Sequence, residues 1–587
     1  MSAPQGWGTP GHADRYRQRV LAERRRLAAE HADMRGRQRQ VLTDLLEFNA
    51  GTEFGRKHGF RHIRGIDDFR RAVPVQDYAA HAPLIERMAA GEENLLTADA
   101  PVVYFTSSGS TGAHKKIPVT PRFMQTTFFP FYYAAWAPLI EHVPEVMHRP
   151  DAVLNLKHDP LTAPSTTASG RPHVGASQVD FGARFGEPLS AELGTAAPWA
   201  ALPVDVAPDD HLEKSYLRLR LAVQSDLHGL VGINPAMIAA VPYQLNLWWP
   251  RLVKEVRDGT LGGLPYGSPD PERAAELELL ADYFGAVRPA WIWPRLRALF
   301  CWTTGVASLY LPALREEFGT GVSALPAPVA ASEGPVGVPL DRHASAGSLV
   351  LSASVYEFAD AEADLAPGTE TLLAHELEVG REYHVVFSHV GGLYRYAVGD
   401  VVRVVDRVGD VPRVEYAGRA TRWDAVGERL REAHVVRALR TALSSTGLEL
   451  RNVACRVERA AGLPAGPGGS RHSPTAARYV FAIAPRTPWA GAEAERFTAL
   501  LDGALAGESP GYARARADGR LAPPDLLLLD AAAFDRDWHA SVGGGIRPTQ
   551  VKDRLFRQDE AQWRRLTGAA TPPPGGRASD ERQGERA

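Results

Sequence analysis

Residues 103–120 read VYFTSSGSTGAHKKIPVT, and this stretch decides the fold. An apolar run ends in a loop of serine, threonine and glycine, and a second β-branched run follows two lysines. Glycine lets a backbone approach an anion closely because it has no Cβ. Hydroxyl and backbone N–H groups donate to phosphate oxygens, and lysine supplies a point charge. The stretch therefore predicts two strands joined by a phosphate-binding loop.

The loop differs from the P-loop of common nucleotide-hydrolysing enzymes. The fifth residue after Gly109 is His114, where that motif requires a second glycine. The loop also leads into a strand and not into a helix. A phosphate loop of another class is one interpretation, and a flexible Ser/Gly turn between two strands is the alternative.

Length and charge restrict the class of protein. The chain has 587 residues, which predicts more than one domain, and a formal net charge of −3, which does not favour nucleic acid or an acidic membrane as a partner. A basic cluster within a predicted helix over residues 13–48 is interpreted as a solvated helix face, with a nucleic-acid arm as the alternative.

The two cysteines, Cys301 and Cys455, form no CxxC motif, which excludes a disulfide framework and a cysteine zinc site and fits a reducing compartment. The sequence has no apolar run approaching the roughly 20 residues of a membrane span, and the N-terminus does not resemble a signal peptide. We therefore expect a cytoplasmic protein, a monomer, with no membrane or nucleic-acid partner.

Hydrophobic periodicity predicts further elements. Helices are expected over residues 211–226, 233–258 and 270–285, and Thr120 is expected to cap a helix that begins at Pro121. The stretches EYHVVFS, LYRYAVGDVVRVV and RVEYAGR are predicted to be successive strands of one sheet. After Arg419 the pattern changes to an amphipathic helix and then the strand RYVFAIAP, which indicates a domain boundary near residue 419.

The loop SSGSTGAHK resembles the phosphate loop T/S-S-G-T-T-G-x-P-K of the adenylate-forming superfamily. The following KKIPVT and the preceding residues 52–97 resemble the GH3 family of acyl acid amido synthetases, specifically a bacterial-type member. The resemblance implies that Lys115 is the lysine of the loop, with Lys116 as the alternative. It also implies that the loop closes over the β- and γ-phosphates of ATP. The implied ATP-binding loop residues are Ser107, Ser108, Gly109, Ser110, Thr111 and Gly112.

The stretch VAASEGPVGVPL resembles the S-S-E motif of the family, matched by Ala331, Ser332 and Glu333. Because Mg²⁺ accompanies ATP and prefers carboxylates together with phosphate oxygens, Glu333 is the implied magnesium ligand. Ser332 is implied to hold the α-phosphate or the adenine edge. A helix cap is the alternative for an isolated Ser-Glu pair.

The stretch GLYRYAVGDVV resembles the family's Y-R-x-G-D motif. Asp400, expected at a strand-end turn after Gly399, is implied to accept hydrogen bonds from the ribose hydroxyls. Tyr396 is expected either beside the nucleotide or packed in the sheet. An aspartate in an ordinary hairpin turn is the alternative for Asp400.

Two C-terminal motifs complete the resemblance. YAGRATRWDAVGERL resembles the superfamily hinge, in which Arg419 reaches a phosphate or the ribose, or is a surface arginine. SVGGGIRPTQVKDRLFR resembles the terminal Q-x-K-x-P-R motif through Gln550, Lys552 and Arg554. Lys552 is implied to stabilise charge on the substrate carboxylate and the α-phosphate, with a solvated lysine in a basic tail as the alternative.

The motifs follow the family's order over about residues 35–557. They imply an α/β protein with a large N-terminal adenylate-forming domain, in which mixed sheets and a small β-barrel pack with helices, over residues 1–418. A small mobile α+β C-terminal domain is expected over residues 419–567, and a disordered tail over residues 568–587.

The implied activity is that of an ATP- and Mg²⁺-dependent ligase that adenylates a small carboxylic acid and transfers the acyl group to an amine, usually an amino acid. Lys115, Glu333 and Lys552 are the implied catalytic residues. A thioester product, an unusual nitrogen nucleophile, or a nucleotide-binding protein without catalysis are the alternatives. The aromatic residues Phe128, Phe131, Tyr132 and Trp136 are expected in a core rather than in an acyl pocket.

Overall fold

The structure is a computed structural model that describes residues 11–107, 115–157, 165–187, 189, 193, 197–459 and 476–568. It confirms the predicted α/β class. The chain forms two compact units, and the first contains Met1–Ala307, Arg315–Ala420 and Ser541–Lys552. The second contains Ser308–Leu314, Thr421–Ala540 and Asp553–Ala587. The boundary expected near residue 419 stays a prediction.

The largest sheet of the first unit has seven strands, and every neighbouring pair is antiparallel. The three strands predicted to be successive neighbours are confirmed. In spatial order the strands are Val329–Ala331, Gly334–Val338, Gly347–Leu349, Val411–Arg419, Leu393–Val408, Glu382–His389 and Val355–Asp360.

A second sheet carries the hairpin that opened the sequence analysis. Val103–Ser107 pairs antiparallel with Lys115–Val119, which confirms the two predicted strands. On its other side Val103–Ser107 pairs parallel with Pro172–Val174, and that strand pairs with Ser165–Thr166. We call the antiparallel pair of Val103–Ser107 and Lys115–Val119 the phosphate-loop hairpin.

A third sheet is entirely parallel, and most of it escaped the sequence-based prediction. Its strands, in spatial order, are Ser323–Pro326, Ala298–Cys301, Gly229–Val231 and Val153–Asn155. These strands are three or four residues long and mostly apolar, with Asn155 and Ser323 as their polar members, so they lack the alternation that reveals a strand with one wet face. Their carboxyl ends share one edge, where open α/β sheets bind ligands.

The helices of the described residues include those predicted, with one difference. The helix predicted over residues 13–48 is divided by a 3₁₀ turn at Glu30–Asp33 because Asp33 caps a new helix, accepting from the Gly36 N–H at 2.8 Å. The α-helices are His12–Ala29, Met34–Asn49, Glu53–Lys57, Ile66–Ala72, Tyr78–Ala89, Pro121–Phe123, Phe129–Ala134, Ala137–His142, Phe181–Phe185, His211–Ala222, Pro235–Asp258, Pro271–Phe284, Pro289–Ile292, Ala307–Phe318, Glu432–Thr446, Gly491–Glu508, Pro510–Ala517, Ala533–Gly543 and Glu560–Thr567. None of these helices is long and apolar enough to cross a membrane.

The second unit has a three-stranded sheet in the order Leu450–Glu458, Arg478–Pro485 and Asp525–Leu528. The first two strands are antiparallel and the last two are parallel. Helices Glu432–Thr446 and Gly491–Glu508 pack against each other in this unit. The α+β character expected of the smaller domain is confirmed.

The aromatic segment after the phosphate-loop hairpin packs in a core. Thr120 caps it as predicted, accepting from the Phe123 N–H at 3.2 Å. A π-helical turn at Met124–Phe128 then interrupts the helix. Trp136 is buried and stacks on Phe300 of the parallel sheet, with 5.2 Å between ring centroids. The segment therefore connects the hairpin to the parallel sheet.

The strand Leu393–Val408 is fixed by a buried ion pair. Arg395 has a φ of 41°, which is unusual for a residue with a Cβ. Its guanidinium donates to Glu357 on the edge strand at 2.9 and 3.0 Å, and the two side chains are only 4% and 1% exposed. It also donates to the Val73 carbonyl at 2.9 Å. These contacts hold the strained residue in place.

Replacing Arg395 with methionine should lower the free energy of unfolding by about 3 kcal/mol, because the buried Glu357 loses one of its two arginine partners and keeps only Arg70, at 2.9 Å. Urea unfolding of the purified variant measures this loss. The matched control is Arg381→Met, which removes a partly exposed arginine paired with Asp360 and should leave the midpoint close to wild type. Equal midpoints for the two variants would contradict the structural role of Arg395.

Candidate active site

The phosphate-loop hairpin places the last residue of its first strand beside the first residue of its second strand. Ser107 is directly opposite Lys115 at the last pair of the ladder. The implied loop residues Ser108, Gly109, Ser110, Thr111 and Gly112 lie outside the described residues, and Ser107 is described only as the last residue of its strand.

The two lysines after the loop point in different directions, as neighbours on a strand do. The Lys115 ammonium donates to the Tyr396 hydroxyl at 3.2 Å and lies 3.5 Å from Glu333 Oε1. The Lys116 ammonium instead donates to both carboxylate oxygens of Glu86 at 2.7 Å. Only Lys115 joins the group of residues singled out by the sequence.

Ser332 and Glu333 form a two-residue turn between the strands Val329–Ala331 and Gly334–Val338, and not a helix cap. The Ser332 hydroxyl donates to the Thr106 carbonyl at 3.1 Å, which ties this turn to the phosphate-loop hairpin. Glu333 is buried, with 4% of its surface exposed. The turn therefore presents a buried carboxylate beside the end of the hairpin.

Tyr396 connects the lysine to the carboxylate. Its hydroxyl accepts from Lys115 and donates to Glu333 Oε1 at 3.1 Å. Burial, followed by the nearby negative charge of Glu333, raises the pKa of Tyr396 above its ordinary value, so the phenol keeps its proton. Lys115, Tyr396 and Glu333 thus form a continuous hydrogen-bonded chain, which we call the Lys–Tyr–Glu chain.

Asp400 does not lie at a strand-end turn, so that prediction is wrong. It lies within the strand Leu393–Val408, directly after Gly399, whose φ is 83°. The register with the neighbouring strand shifts between Asp400 and Val402, which marks a bulge. A bulge bends the strand locally and redirects a side chain without ending the ladder, and a glycine permits the positive φ.

Asp400 pairs with Arg419, the residue opposite it in the ladder, with Oδ1 and Nη1 2.8 Å apart. Burial raises the pKa of the Asp400 carboxyl, Arg419 opposes that shift, and the negative charge of Glu333 adds to it. The pKa of Arg419 is raised in turn, chiefly by Asp400. The carboxylates of Asp400 and Glu333 therefore interact electrostatically.

Lys552 belongs to the first unit and lies at the edge of its parallel sheet. The side-chain amide of Asn234 donates to the Val551 carbonyl at 2.6 Å, which holds the segment next to the lysine. The Lys552 ammonium lies 5.0 Å above the centre of the Trp302 ring, a cation–π distance. Lys552 and Lys115 both lower the pKa of Asp400, so the structure brings the N-terminal and C-terminal candidates together.

Sequence-based reasoning missed Tyr78, Trp302 and His389. The Lys115 ammonium lies 5.3 Å from the centre of the Tyr78 ring, and the Tyr78 hydroxyl accepts from the Lys116 N–H at 2.9 Å. Trp302 follows the strand Ala298–Cys301 at the carboxyl edge of the parallel sheet, a position that could have been found had that short strand been predicted.

His389 is buried and supports the turn that carries Glu333. Its Nε2–H donates to the Glu333 carbonyl at 2.9 Å, and its Nδ1 accepts from the Gly391 N–H at 3.1 Å. Burial lowers the pKa of His389 to about 3, so the imidazole is neutral at physiological pH. No obvious sequence motif marks this histidine, because its role depends on a contact across 56 residues.

Three family models match the chain. The model of the GH3 family N-terminal domain covers residues 24–322, which is more than half of the chain. The model of the GH3 family central domain covers residues 347–419, and the model of the GH3 family C-terminal domain covers residues 433–560. The chain belongs to the GH3 family. This confirms the resemblance, while the bacterial-type assignment stays a prediction.

Relatives of this GH3 family chain include plant proteins. A probable indole-3-acetic acid-amido synthetase of Oryza sativa subsp. japonica is 30% identical over 313 residues, which are 51% of this chain and 61% of that protein. The chain thus spans less than two thirds of that rice protein. An indole-3-acetic acid-amido synthetase of Arabidopsis thaliana is 24% identical over 428 residues, covering 65% of this chain and 70% of that protein.

The solved structure of an acyl acid amido synthetase has the same fold. The two superpose with a TM-score of 0.76 at 20% identity, over 94% of this chain and 97% of that chain. The expected fold, with a large N-terminal domain and a smaller C-terminal domain, is confirmed for this GH3 family chain.

The sequence resemblance to GH3 enzymes implies a bound Mg²⁺. The described residues of this chain offer such an ion a single carboxylate ligand. They hold no group of three or more His, Cys, Asp or Glu side chains that could form a metal cage. Glu333 provides one buried carboxylate, of which Oε1 is engaged by Tyr396. Because Mg²⁺ in nucleotide sites takes one or two carboxylates together with phosphate oxygens and water, this single carboxylate fits.

The protonation of His389 should make the folded protein less stable as the pH is lowered. The pKa of His389 is about 3 in the folded protein and about 6.5 in the unfolded chain, so between these pH values only the unfolded chain binds the proton. The contribution of His389 to the free energy of unfolding is therefore complete above pH 6.5 and is lost as the pH falls toward 3. The slope is about 1.4 kcal/mol per pH unit.

His389→Gln should therefore show a shallower loss of unfolding free energy between pH 6.5 and pH 4. Urea titrations at several pH values measure the slope. His62→Gln, which removes an exposed imidazole, is the control and should keep the wild-type slope. An unchanged slope in His389→Gln would show that another group causes the acid sensitivity.

Proposed function

We propose that this GH3 family chain is an ATP-dependent ligase that converts a small carboxylic acid into an acyl-adenylate and transfers the acyl group to an amine, an amino acid in particular, to form an amide. One observation carries the proposal. The Lys–Tyr–Glu chain, the Asp400–Arg419 pair and Lys552 come from distant parts of the sequence and meet in one electrostatically coupled group in the first unit.

In the first half-reaction a carboxylate oxygen of the acid attacks the α-phosphorus of ATP. The bond from that phosphorus to the bridging oxygen of the β-phosphate breaks, and pyrophosphate leaves with the electron pair. Lys115, at the end of the phosphate-loop hairpin, is the proposed partner of the phosphates, together with the implied loop residues Ser107 to Gly112. Ser332 is proposed to hold the α-phosphate or the adenine edge. The protein contributes positioning and charge stabilisation.

Glu333 is the residue that would hold Mg²⁺, with Tyr396 fixing its Oε1. When bound, this cation offsets negative charge on the phosphate oxygens. The hydrogen bond from Tyr396 and the neutral imidazole of His389 hold Glu333 in place, so that its carboxylate is oriented before ATP arrives.

Asp400 is proposed to bind the ribose. Arg419 engages its Oδ1, and its second oxygen is proposed to accept from a ribose hydroxyl. The bulge after Gly399 directs this carboxylate out of the regular ladder. Arg419 is proposed to orient Asp400 and to contribute positive charge near the nucleotide.

In the second half-reaction the neutral amine attacks the acyl carbon, AMP leaves with the bonding electron pair, and the nitrogen releases a proton. Lys552 is proposed to stabilise negative charge that develops on the acyl oxygen and the α-phosphate. Its stacking on Trp302 limits its freedom before the substrates bind. A thiol in place of the amine would give a thioester, which the mass of the product distinguishes.

We further propose that the protein acts as a monomer on small molecules in the cytoplasm, without a membrane or nucleic-acid partner. Both cysteines are buried as free thiols, which suits a reducing compartment. The net charge of −3 does not favour nucleic acid.

Acid-dependent release of pyrophosphate from ATP tests the activity. With an acid that the wild-type protein accepts, Lys115→Gln should lower the rate of release by about 100-fold, because a positive charge beside the phosphates is lost. Lys116→Gln is the matched control and should retain most of the activity, because its ammonium pairs with Glu86. If pyrophosphate release were unaffected in Lys115→Gln and lost in Lys116→Gln, Lys116 would be the lysine that contacts the phosphates. No release with any acid in a broad panel would overturn the proposed function.

A comparison of ATP with 2′-deoxy-ATP and 3′-deoxy-ATP tests the ribose assignment. The wild-type protein should bind at least one deoxy nucleotide about tenfold or more weakly, because a hydrogen bond to a carboxylate is lost. In Asp400→Asn this discrimination should shrink. Calorimetric titration measures both affinities, and full discrimination in the variant would show that another group binds the ribose hydroxyls.

A further inference from the structure

The strand Lys115–Val119 is the outermost strand of its sheet among the described residues. The outer side of an edge strand presents N–H and carbonyl groups that no neighbouring strand pairs with. At Lys116 a side chain takes the place of that strand. The Tyr78 hydroxyl accepts from the Lys116 N–H at 2.9 Å and donates to the Lys116 carbonyl at 3.4 Å. One phenol therefore engages both main-chain groups of the second residue of this strand.

The helix Tyr78–Ala89 holds Lys116 at two points. Tyr78, the first residue of the helix, binds the main chain of Lys116. Glu86, about two turns further along the helix, accepts from the Lys116 ammonium at 2.7 Å. Successive side chains of a strand point to opposite faces. Because Lys116 is held against this helix, the Lys115 side chain is directed away from Glu86.

The Tyr78 ring lies beside the Lys115 ammonium. The ammonium is 5.3 Å from the centre of the Tyr78 ring and 5.9 Å from the centre of the Tyr396 ring, both within the range of a cation–π contact. It also donates to the Tyr396 hydroxyl at 3.2 Å. The ring of Tyr78 therefore contacts the ammonium of Lys115, while the hydroxyl of Tyr78 holds the main chain one residue further on.

A second side chain holds the main chain of Lys115 itself. His173 lies on the strand Pro172–Val174, and its Nε2–H donates to the Lys115 carbonyl at 3.2 Å. Main-chain contacts at Lys115 and Lys116 thus fix the point from which the Lys115 side chain extends. A lysine has a flexible four-carbon stem, so fixing both its base and its ammonium before a ligand arrives lowers the entropic cost of binding.

We propose that Tyr78 is the positioning residue of Lys115, and that it directs the ammonium toward the phosphates of ATP without contacting the nucleotide. This role rests on the proposed function, in which Lys115 is the partner of the phosphates. It gives a residue of the helix Tyr78–Ala89 a part in nucleotide binding. A purely structural role for Tyr78 and a direct contact of Tyr78 with ATP are the alternatives, and a double-mutant cycle separates them from positioning.

Two substitutions separate the two parts of the Tyr78 side chain. Tyr78→Phe removes the hydroxyl and keeps the ring, and Tyr78→Leu removes both. Tyr383→Phe is the matched control. The Tyr383 hydroxyl also accepts from a main-chain N–H at 2.9 Å, that of Glu378, and the Tyr383 ring also lies near a cation, with the guanidinium carbon of Arg381 6.0 Å from its centre. Thermal unfolding verifies that each variant is folded.

Calorimetric titration with ATP measures the effect of each substitution. Tyr78→Phe should weaken binding about threefold and Tyr78→Leu about tenfold, because phenylalanine keeps the ring and leucine does not. Tyr383→Phe should bind ATP as the wild-type protein does.

The same titrations in a Lys115→Gln background complete the cycle. Neither substitution of Tyr78 should weaken ATP binding further there, because the group that Tyr78 positions is absent. Equal losses in both backgrounds would overturn the positioning role, since a structural role and a direct contact with ATP both predict additive losses. If Tyr78→Leu does not fold, Tyr78→Phe completes the cycle alone.

A spectroscopic measurement separates this role from the ligase function, because it needs no nucleotide. Reductive methylation with isotope-labelled formaldehyde places NMR-visible methyl groups on the seven lysines of the chain, and the signal missing in Lys115→Gln is that of Lys115. Ring currents of the adjacent phenols should shift this signal upfield. The shift should shrink in Tyr78→Leu and persist in Tyr78→Phe.

A Lys115 signal that is the same in Tyr78→Leu and in the wild-type protein would overturn the contact between the ring and the ammonium, and with it the positioning role. Absence of ATP binding or of pyrophosphate release, with the ring-current shift intact, would instead overturn the ligase function alone.

Discussion

The buried ion pair between Arg395 and Glu357 is the constraint on which the candidate site depends. Arg395 adopts a positive φ that its side chain alone would not favour, and the pair holds it there. The next residue is Tyr396, and Gln76 pairs with the backbone on both sides of it, through the Arg395 carbonyl at 2.9 Å and the Ala397 N–H at 2.7 Å. Because the backbone is fixed at this point, the Tyr396 hydroxyl reaches both Lys115 and Glu333.

Sequence motifs identify some residues of the candidate site, and only the structure identifies the others. Lys115, Glu333, Asp400 and Lys552 could be singled out because each lies in a short motif with a chemical reason for its residue types. The supporting residues could not, since His389 acts on a carbonyl 56 residues away and Trp302 follows a strand too short and too apolar to show a periodic pattern. The strand-end position expected for Asp400 was wrong for a related reason, because Gly399 predicts a turn and a bulge equally well.

The same distinction applies to the fold. The seven-stranded sheet was predicted in part because its strands Glu382–His389, Leu393–Val408 and Val411–Arg419 are long and follow one another directly. The parallel sheet joins strands of three or four residues separated by long crossovers, and its order depends on packing that no local pattern encodes.

The Lys–Tyr–Glu chain has one more consequence. The Tyr396 hydroxyl contacts both Lys115 and Glu333, so that these opposite charges face each other at 3.5 Å beside a neutral bridge. In the proposed reaction, an arriving phosphate would compete with Glu333 for the lysine, while the phenol keeps its hydrogen bond to the carboxylate. The Tyr396 hydroxyl would therefore remain the hydrogen-bond donor of Glu333 while the lysine changes its partner. On the proposed function, Glu333 would pair with Lys115 again when pyrophosphate departs, so the site would return to its starting arrangement.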